Sequence, residues 1–297
     1  MYAERYIGPD EDPIYQKILN WQPEGEGEGG LYRRLYYRSY FDNLAWRDDS
    51  LSMLGFDIKP LDPRFQEIVE ELTEGFPYEL KVRKWGSRFW LNMSARYFLS
   101  SARLNYPHLE YRKMINGDFG CEAIGALPRI YFQDRWRPAA EEEQREALLN
   151  SDLRSIGWCD PETWAARPSP DSYPVPRDGN EADGEENFLR LQEKNRVTAL
   201  DLSNPNRVVI DAESSTPAML VMTDVYHPDW RATLNGEPVP VHRVNYLQRG
   251  IWCPPGECRI EMAFRPSSIG PGLAMTGAGL LALLGLIRLS FRSRRRQ

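Results

Sequence analysis

The sequence predicts an α+β N-terminal region, then an all-β antiparallel sandwich, then one C-terminal transmembrane helix. Three observations carry this reading. Helical and strand patterns are mixed before residue 165. Short β-rich runs recur between residues 188 and 265, separated by turn residues. From Pro266 to Ile287 there is no charged side chain. The chain divides accordingly into an α+β extracytoplasmic region over 1–165, an acidic Pro/Gly-rich linker over 166–187, a sandwich over 188–265, a membrane helix over 266–289 and a basic cytoplasmic tail over 290–297.

Residues 1–30 are polar and end in an alternating Glu/Gly run from Glu24 to Gly30. That run lacks the Gly-Lys-Ser/Thr ending of a phosphate loop, and its acids repel phosphate, so it reads as a linker or long loop. Residues 31–110 are dense in aromatics and arginine. Within them, Asp62 suits an N-cap and Pro63 a first helical position. Phe65, Ile68, Val69 and Leu72 then recur at spacings of three and four, which places them on one helical face. Residues 89–99 suggest a short helix followed by a strand, residues 126–133 a strand, and residues 138–154 a Glu-rich helix. The Pro, Gly and acidic content of 166–187 indicates a linker or loop.

Seven strand-like runs follow: 196–202, 207–212, 218–225, 231–234, 239–244, 250–253 and 258–264. Asn235-Gly236 supplies two residues that tolerate positive φ, a strong short-range hairpin signal. Strands at this spacing predict an antiparallel sandwich of about 75 residues.

The apolar run from Pro266 would span roughly 33 Å as a helix, close to the hydrocarbon thickness of about 30 Å. Arg288, Arg292, Arg294, Arg295 and Arg296 follow it and favour a cytoplasmic C-terminus. The N-terminus shows no apolar export signal. The chain therefore reads as the C-terminal part of a longer, polytopic membrane protein, with a tail-anchored cytosolic body as the alternative. Gly270, Ala274, Ala278 and Ala282 recur every four residues, a smooth face for docking against other spans or the ordinary Ala/Gly content of such helices.

Hydrophobic residues make up 41% and charged residues 27% of the chain, enough for about two domains with real cores. The net charge of −6 includes the basic tail, so the body is more acidic still, which argues against nucleic acid as a partner. Of the four cysteines, Cys253 and Cys258 flank Pro254–Glu257 and read as a possible disulfide across a hairpin, or as two half-buried thiols. His227 and His242 stand apart and the cysteines lack zinc spacing, so no metal is expected. No cofactor fingerprint and no nucleophile or zinc-protease motif occurs, and no catalytic residue is assigned. Asp42, Asp48 and Asp49 have no spacing that demands acid–base work. Tyr226 and Trp230 form either a sugar-stacking platform or a turn anchored in the core. Arg243, Asn245 and Arg249 form either a contact for an anionic lipid phosphate or polymer, or ordinary turn chemistry.

The segments Thr223–Gly236, Val239–Gly250, Pro255-Gly256 and Phe264–Pro266, followed by an apolar terminal helix, together resemble the C-terminal extracytoplasmic domain of the YfhO family. Those bacterial multispanning proteins are similar to GT-C glycosyltransferases. The resemblance covers residues 205–290, with looser correspondence at Asp42–Leu44, Met53–Asp57, Met93–Leu99 and Ala126–Arg129; Asp229 stands where the family more often has Gly. It implies an accessory part of a membrane glycosyltransferase acting in cell-envelope glycan or polymer modification. It also implies the bacterial cytoplasmic membrane as location, and membrane lipid, other transmembrane helices and lipid-linked sugar or envelope glycan as partners. The family's catalytic acid lies between its first membrane helices, which this chain lacks, so the chain alone is expected to be inactive. The alternative is a non-catalytic, membrane-anchored glycan-binding or assembly module.

Overall fold

The computed structural model describes residues 33–36, 62–74, 81–100, 102–115, 118–168 and 184–294. The Glu/Gly run at 24–30, Asp42, Asp48, Asp49, the 53–57 segment, most of the acidic linker and residues 295–297 lie outside the described residues.

Strand β1 (Arg33–Tyr36) is followed by α1 (Pro63–Leu72). The helix starts as its residues dictate: the Asp62 carboxylate accepts from the Arg64 N–H at 2.9 Å, and Pro63 occupies the first turn. Phe65, Ile68, Val69 and Leu72 are its buried face. A small ribbon, β2 (Thr73–Glu74) and β3 (Lys81–Val82), leads to α2 (Arg88–Asn92), capped by Ser87. Next come β4 (Ala95–Ser100), β5 (Leu109–Ile115) and β6 (Asp118–Ala123), which with β1 form a four-stranded sheet in the order β1-β4-β6-β5.

The chain then lays down β7 (Ile130–Gln133), β8 (Trp136–Pro138), α3 (Glu141–Asn150), β9 (Gly157–Cys159) and α4 (Pro161–Ala165). After the undescribed segment come α5 (Gly184–Lys194), β10 (Asn195–Asn204), β11 (Arg207–Ser214) and β12 (Ala218–Met222). The final strands are β13 (Trp230–Leu234), β14 (Glu237–Val239), β15 (His242–Val244), β16 (Gln248–Cys253) and β17 (Gly256–Phe264), followed by α6 (Ile269–Arg294). Asn235 and Gly236 take φ of 53° and 88°, so the β13–β14 hairpin has the geometry its two residues favour.

Two sheets make the sandwich. One is five-stranded, β10-β11-β17-β13-β14; the other is six-stranded, β7-β12-β16-β15-β9-β8. Phe132, Leu220 and Ile251 of the second face Ile210, Ile260 and Met262 of the first. The alternate residues Tyr131, Met219, Val221 and Trp252 face the other way, against Phe89, Trp90, Phe98 and Leu148 of the N-terminal layer. The six-stranded sheet is thus covered on both faces. That is why β12 is buried at every position and reads Ala-Met-Leu-Val-Met, a continuous apolar run rather than an alternation. Each large side chain so buried contributes roughly 1.5–3 kcal/mol.

The expected fold class needs two corrections. The sandwich is not built from residues 188–265 alone, because β7, β8 and β9, from residues 130–159, supply half of its six-stranded sheet. The expected C-terminal transmembrane helix is also overturned: among the described residues no helix is long and apolar enough to cross a membrane. What stands is an α+β domain with a sandwich-like pair of sheets.

Candidate functional site

A cavity of about 360 Å³ opens at one end of the central sheet. Strand pairing assembles it. Met222, at the end of β12, pairs with Ile130 of β7 on one side and with Arg249 of β16 on the other. Arg129, just before β7, and Asp224, just after β12, are thereby brought beside Arg249, and the Thr223 N–H donates to the Arg129 carbonyl at 2.9 Å. Trp230 opens β13 in the facing sheet. The walls are completed by Phe65, Met93, Leu202, Val208 and Val225, with Asn204 and Pro205 from the β10–β11 turn.

The charges in this cavity are held in fixed geometry. Arg129 donates from Nε and Nη2 to the two Asp224 oxygens at 3.1 and 2.9 Å, a bidentate pair. The two side chains are 13% and 14% exposed. Arg249 is 8% exposed; its Nε donates to the Val225 carbonyl at 3.0 Å and its guanidinium lies 4.1 Å from the centre of the Trp230 ring. Two guanidinium groups therefore stand against one carboxylate in an otherwise largely apolar cavity.

Of the residues singled out from sequence, Trp230 and Arg249 meet here. The others sit elsewhere. Tyr226 is half-buried and its N–H donates to the Leu247 carbonyl at 2.7 Å. Asn245 is fully buried, and its side chain bonds Trp158, Tyr131 and Gln248. Arg243 donates to Glu141 at 3.2 Å and to the Tyr246 carbonyl at 3.4 Å, tying β15 to α3. Gly270, Ala274, Ala278 and Ala282 lie on α6, and a Cβ at Gly270 would meet nothing within 4 Å. Among the described residues no group of three or more His, Cys, Asp or Glu could hold a metal.

Arg64 and Arg243 converge on Glu141, and their hydrogen bonds, Arg64 first, hold its carboxyl down at about 2. A carboxylate depressed in the folded state stabilises above its ordinary value and loses that contribution as pH falls through the folded value. The stabilisation should thus be complete above about pH 4.5 and decline toward pH 2. The pair is exposed and screened, so the effect is small. Urea midpoints measured against pH should show the decline in the native chain and a flatter profile in Glu141→Gln.

Arg129 and Asp224 escaped the sequence reading as site residues. The available signal was a charge placed immediately outside each of two apolar strands, Arg129 before Ile130 and Asp224 after Met222. It becomes informative only once β7 and β12 are known to be antiparallel neighbours.

No family model, no curated protein and no solved structure matches the chain. The resemblance to the YfhO family is therefore overturned, and the glycosyltransferase-accessory reading goes with it. With no described helix able to span, the bacterial cytoplasmic membrane, the extracytoplasmic body, the cytoplasmic tail and the membrane-anchored glycan-binding or assembly alternative all lose their support. So do membrane lipid, neighbouring transmembrane helices and lipid-linked sugar or envelope glycan as partners.

Proposed function

We propose that the chain is a ligand-binding module whose cavity takes a small carboxylate carrying a flat, apolar body. The observation that supports this most is Arg249, a nearly buried cation held between the Val225 carbonyl and the Trp230 ring in the wall of the cavity. Ligand cavities are commonly apolar with a few placed polar groups, and about 360 Å³ falls at the small end of their range of about 300–1,000 Å³. The Arg249 guanidinium beside the Trp230 ring suits a single carboxylate. A dianion would meet the Asp224 carboxylate in the same wall. The apolar surfaces of Trp230, Val225, Leu202 and Phe65 suit an aromatic or branched body.

The test is a calorimetric and NMR titration of the full chain with phenylacetate, phenylacetamide and phenethylamine. Phenylacetate should bind at least about tenfold more tightly than the other two and shift the Trp230 indole resonance. Arg249→Met, which keeps the bulk, should remove that preference. Equal affinity for the acid and its amide, or an unchanged preference in Arg249→Met, would refute the reading.

A further inference from the structure

Pro254–Glu257 carries the chain from one layer of the sandwich to the other, since β16 belongs to the six-stranded sheet and β17 to the five-stranded one. Cys253 and Cys258 are thus not neighbours in a ladder: Cys253 pairs with Ala218 and Cys258 with Ala212. Both are buried, at 0% and 2% exposure, in the core between the sheets. The two side chains meet there closely enough that each perturbs the other's acidity. Sγ of Cys258 also lies 3.6 Å from the Pro254 carbonyl, and Sγ of Cys253 3.6 Å from the Ile251 carbonyl. All four cysteines are present as thiols.

We propose that Cys253 and Cys258 are a reversible dithiol–disulfide pair that exchanges with small-molecule disulfides and, when oxidised, fastens the two sheets together at this turn. The pair is asymmetric. The neighbouring Cys253 side chain holds the Cys258 thiol below its ordinary value, whereas Cys258 and burial push Cys253 up. Cys258 is therefore the sulfur that ionises first and attacks. Pro254, Pro255, Gly256 and Glu257 are exposed, and Gly256 at φ +119° has nothing within 4 Å of where a Cβ would sit, so the reagent approaches through the turn. The Cys258 thiolate attacks one sulfur of the small disulfide, whose S–S bond breaks and releases one small thiolate. Cys253 then loses its proton to water, its sulfur attacks Sγ of Cys258, and the second small thiolate leaves. Two protein thiols and one small disulfide become one protein disulfide and two small thiols. Cys121 is raised by burial and Cys159 is pushed up to about 12 by the same cause, so both serve as internal controls.

The experiment treats the full, native chain with excess oxidised glutathione and follows intact mass, peptide map and thermal midpoint. The expected result is loss of the mass of two hydrogens and a Cys253–Cys258 cross-link, with Cys121 and Cys159 still open to alkylation after unfolding. The midpoint should rise by about 5 °C, as for a short closed loop in a chain of this size, and dithiothreitol should reverse it. Cys253→Ser should stop at a glutathione adduct on Cys258; if that variant does not fold, the peptide map of the native chain still decides. A persistent adduct in the native chain, a bridge through Cys121 or Cys159, or full retention of thiols under excess reagent would overturn the proposal.

Discussion

Asn245→Ala is expected to lower stability by about 3–5 kcal/mol, measured as the urea unfolding free energy. Asn245 is fully buried, and its Oδ1 accepts the Trp158 N–H at 2.7 Å. Its Nδ2 donates to the Tyr131 hydroxyl at 3.2 Å and to Gln248 Oε1 at 2.8 Å. The network continues through Gln248 Nε2 to the Asn92 carbonyl at 2.7 Å, and from Asn92 Nδ2 to Leu148 and Ser151 carbonyls at 2.9 Å. Burial pushes the Tyr131 phenol far above its ordinary range, so it remains a neutral donor to Gln248. Alanine strands the Trp158 N–H and one Gln248 lone pair, and each stranded buried group costs about 1–3 kcal/mol. Asn245 also takes φ +48°, a left-handed conformation that costs alanine roughly a further 1 kcal/mol. Asn245→Gly isolates that last part, since glycine relieves the backbone and keeps the polar loss. A loss below about 1 kcal/mol for alanine would show that water or a rotated neighbour replaces the amide.

Arg129→Met should destabilise by about 2–4 kcal/mol, the cost of leaving a largely buried carboxylate without its bidentate partner. The figure sits below that for a fully buried pair because the Asp224 side chain retains 14% exposure. The double variant Arg129→Met with Asp224→Leu should recover part of the loss, since it removes the carboxylate together with its bidentate partner. A double-mutant cycle from chemical denaturation should give a coupling above about 1 kcal/mol. Additive effects would mean that the pair is not the unit it forms geometrically.

Local structure was readable where one short segment contains the whole cause. Asp62 and Pro63 start α1, and Phe65, Ile68, Val69 and Leu72 fix its buried face. Asn235-Gly236 sets a hairpin, and six of the seven strand-like runs after residue 195 overlap β10, β11, β12, β13, β16 and β17, whereas the run 239–244 merges the end of β14 with β15, which belong to different sheets. Three-residue strands such as β8 and β9 were not readable, because neither periodicity nor composition identifies so short an element. Nor was the cavity, whose Arg129 and Arg249 are joined only through strand pairing. Asn245 shows the opposite failure. Its neighbours Arg243 and Arg249 made it look like part of an exposed loop, yet the loop turns inward and the amide closes a core network. The apolar C-terminal stretch suggested a membrane span, but among the described residues no helix is long and apolar enough to cross one.

The central sheet also limits how this architecture can be divided. A fragment starting at residue 184 would keep β12 and β16 but lose β7, β8 and β9. It would expose Met219, Val221, Tyr246, Leu247 and Trp252, which the intact chain covers. Gene duplication or fusion could therefore not move the C-terminal half as an independent cassette, and heritable change at this sheet must preserve both of its faces at once.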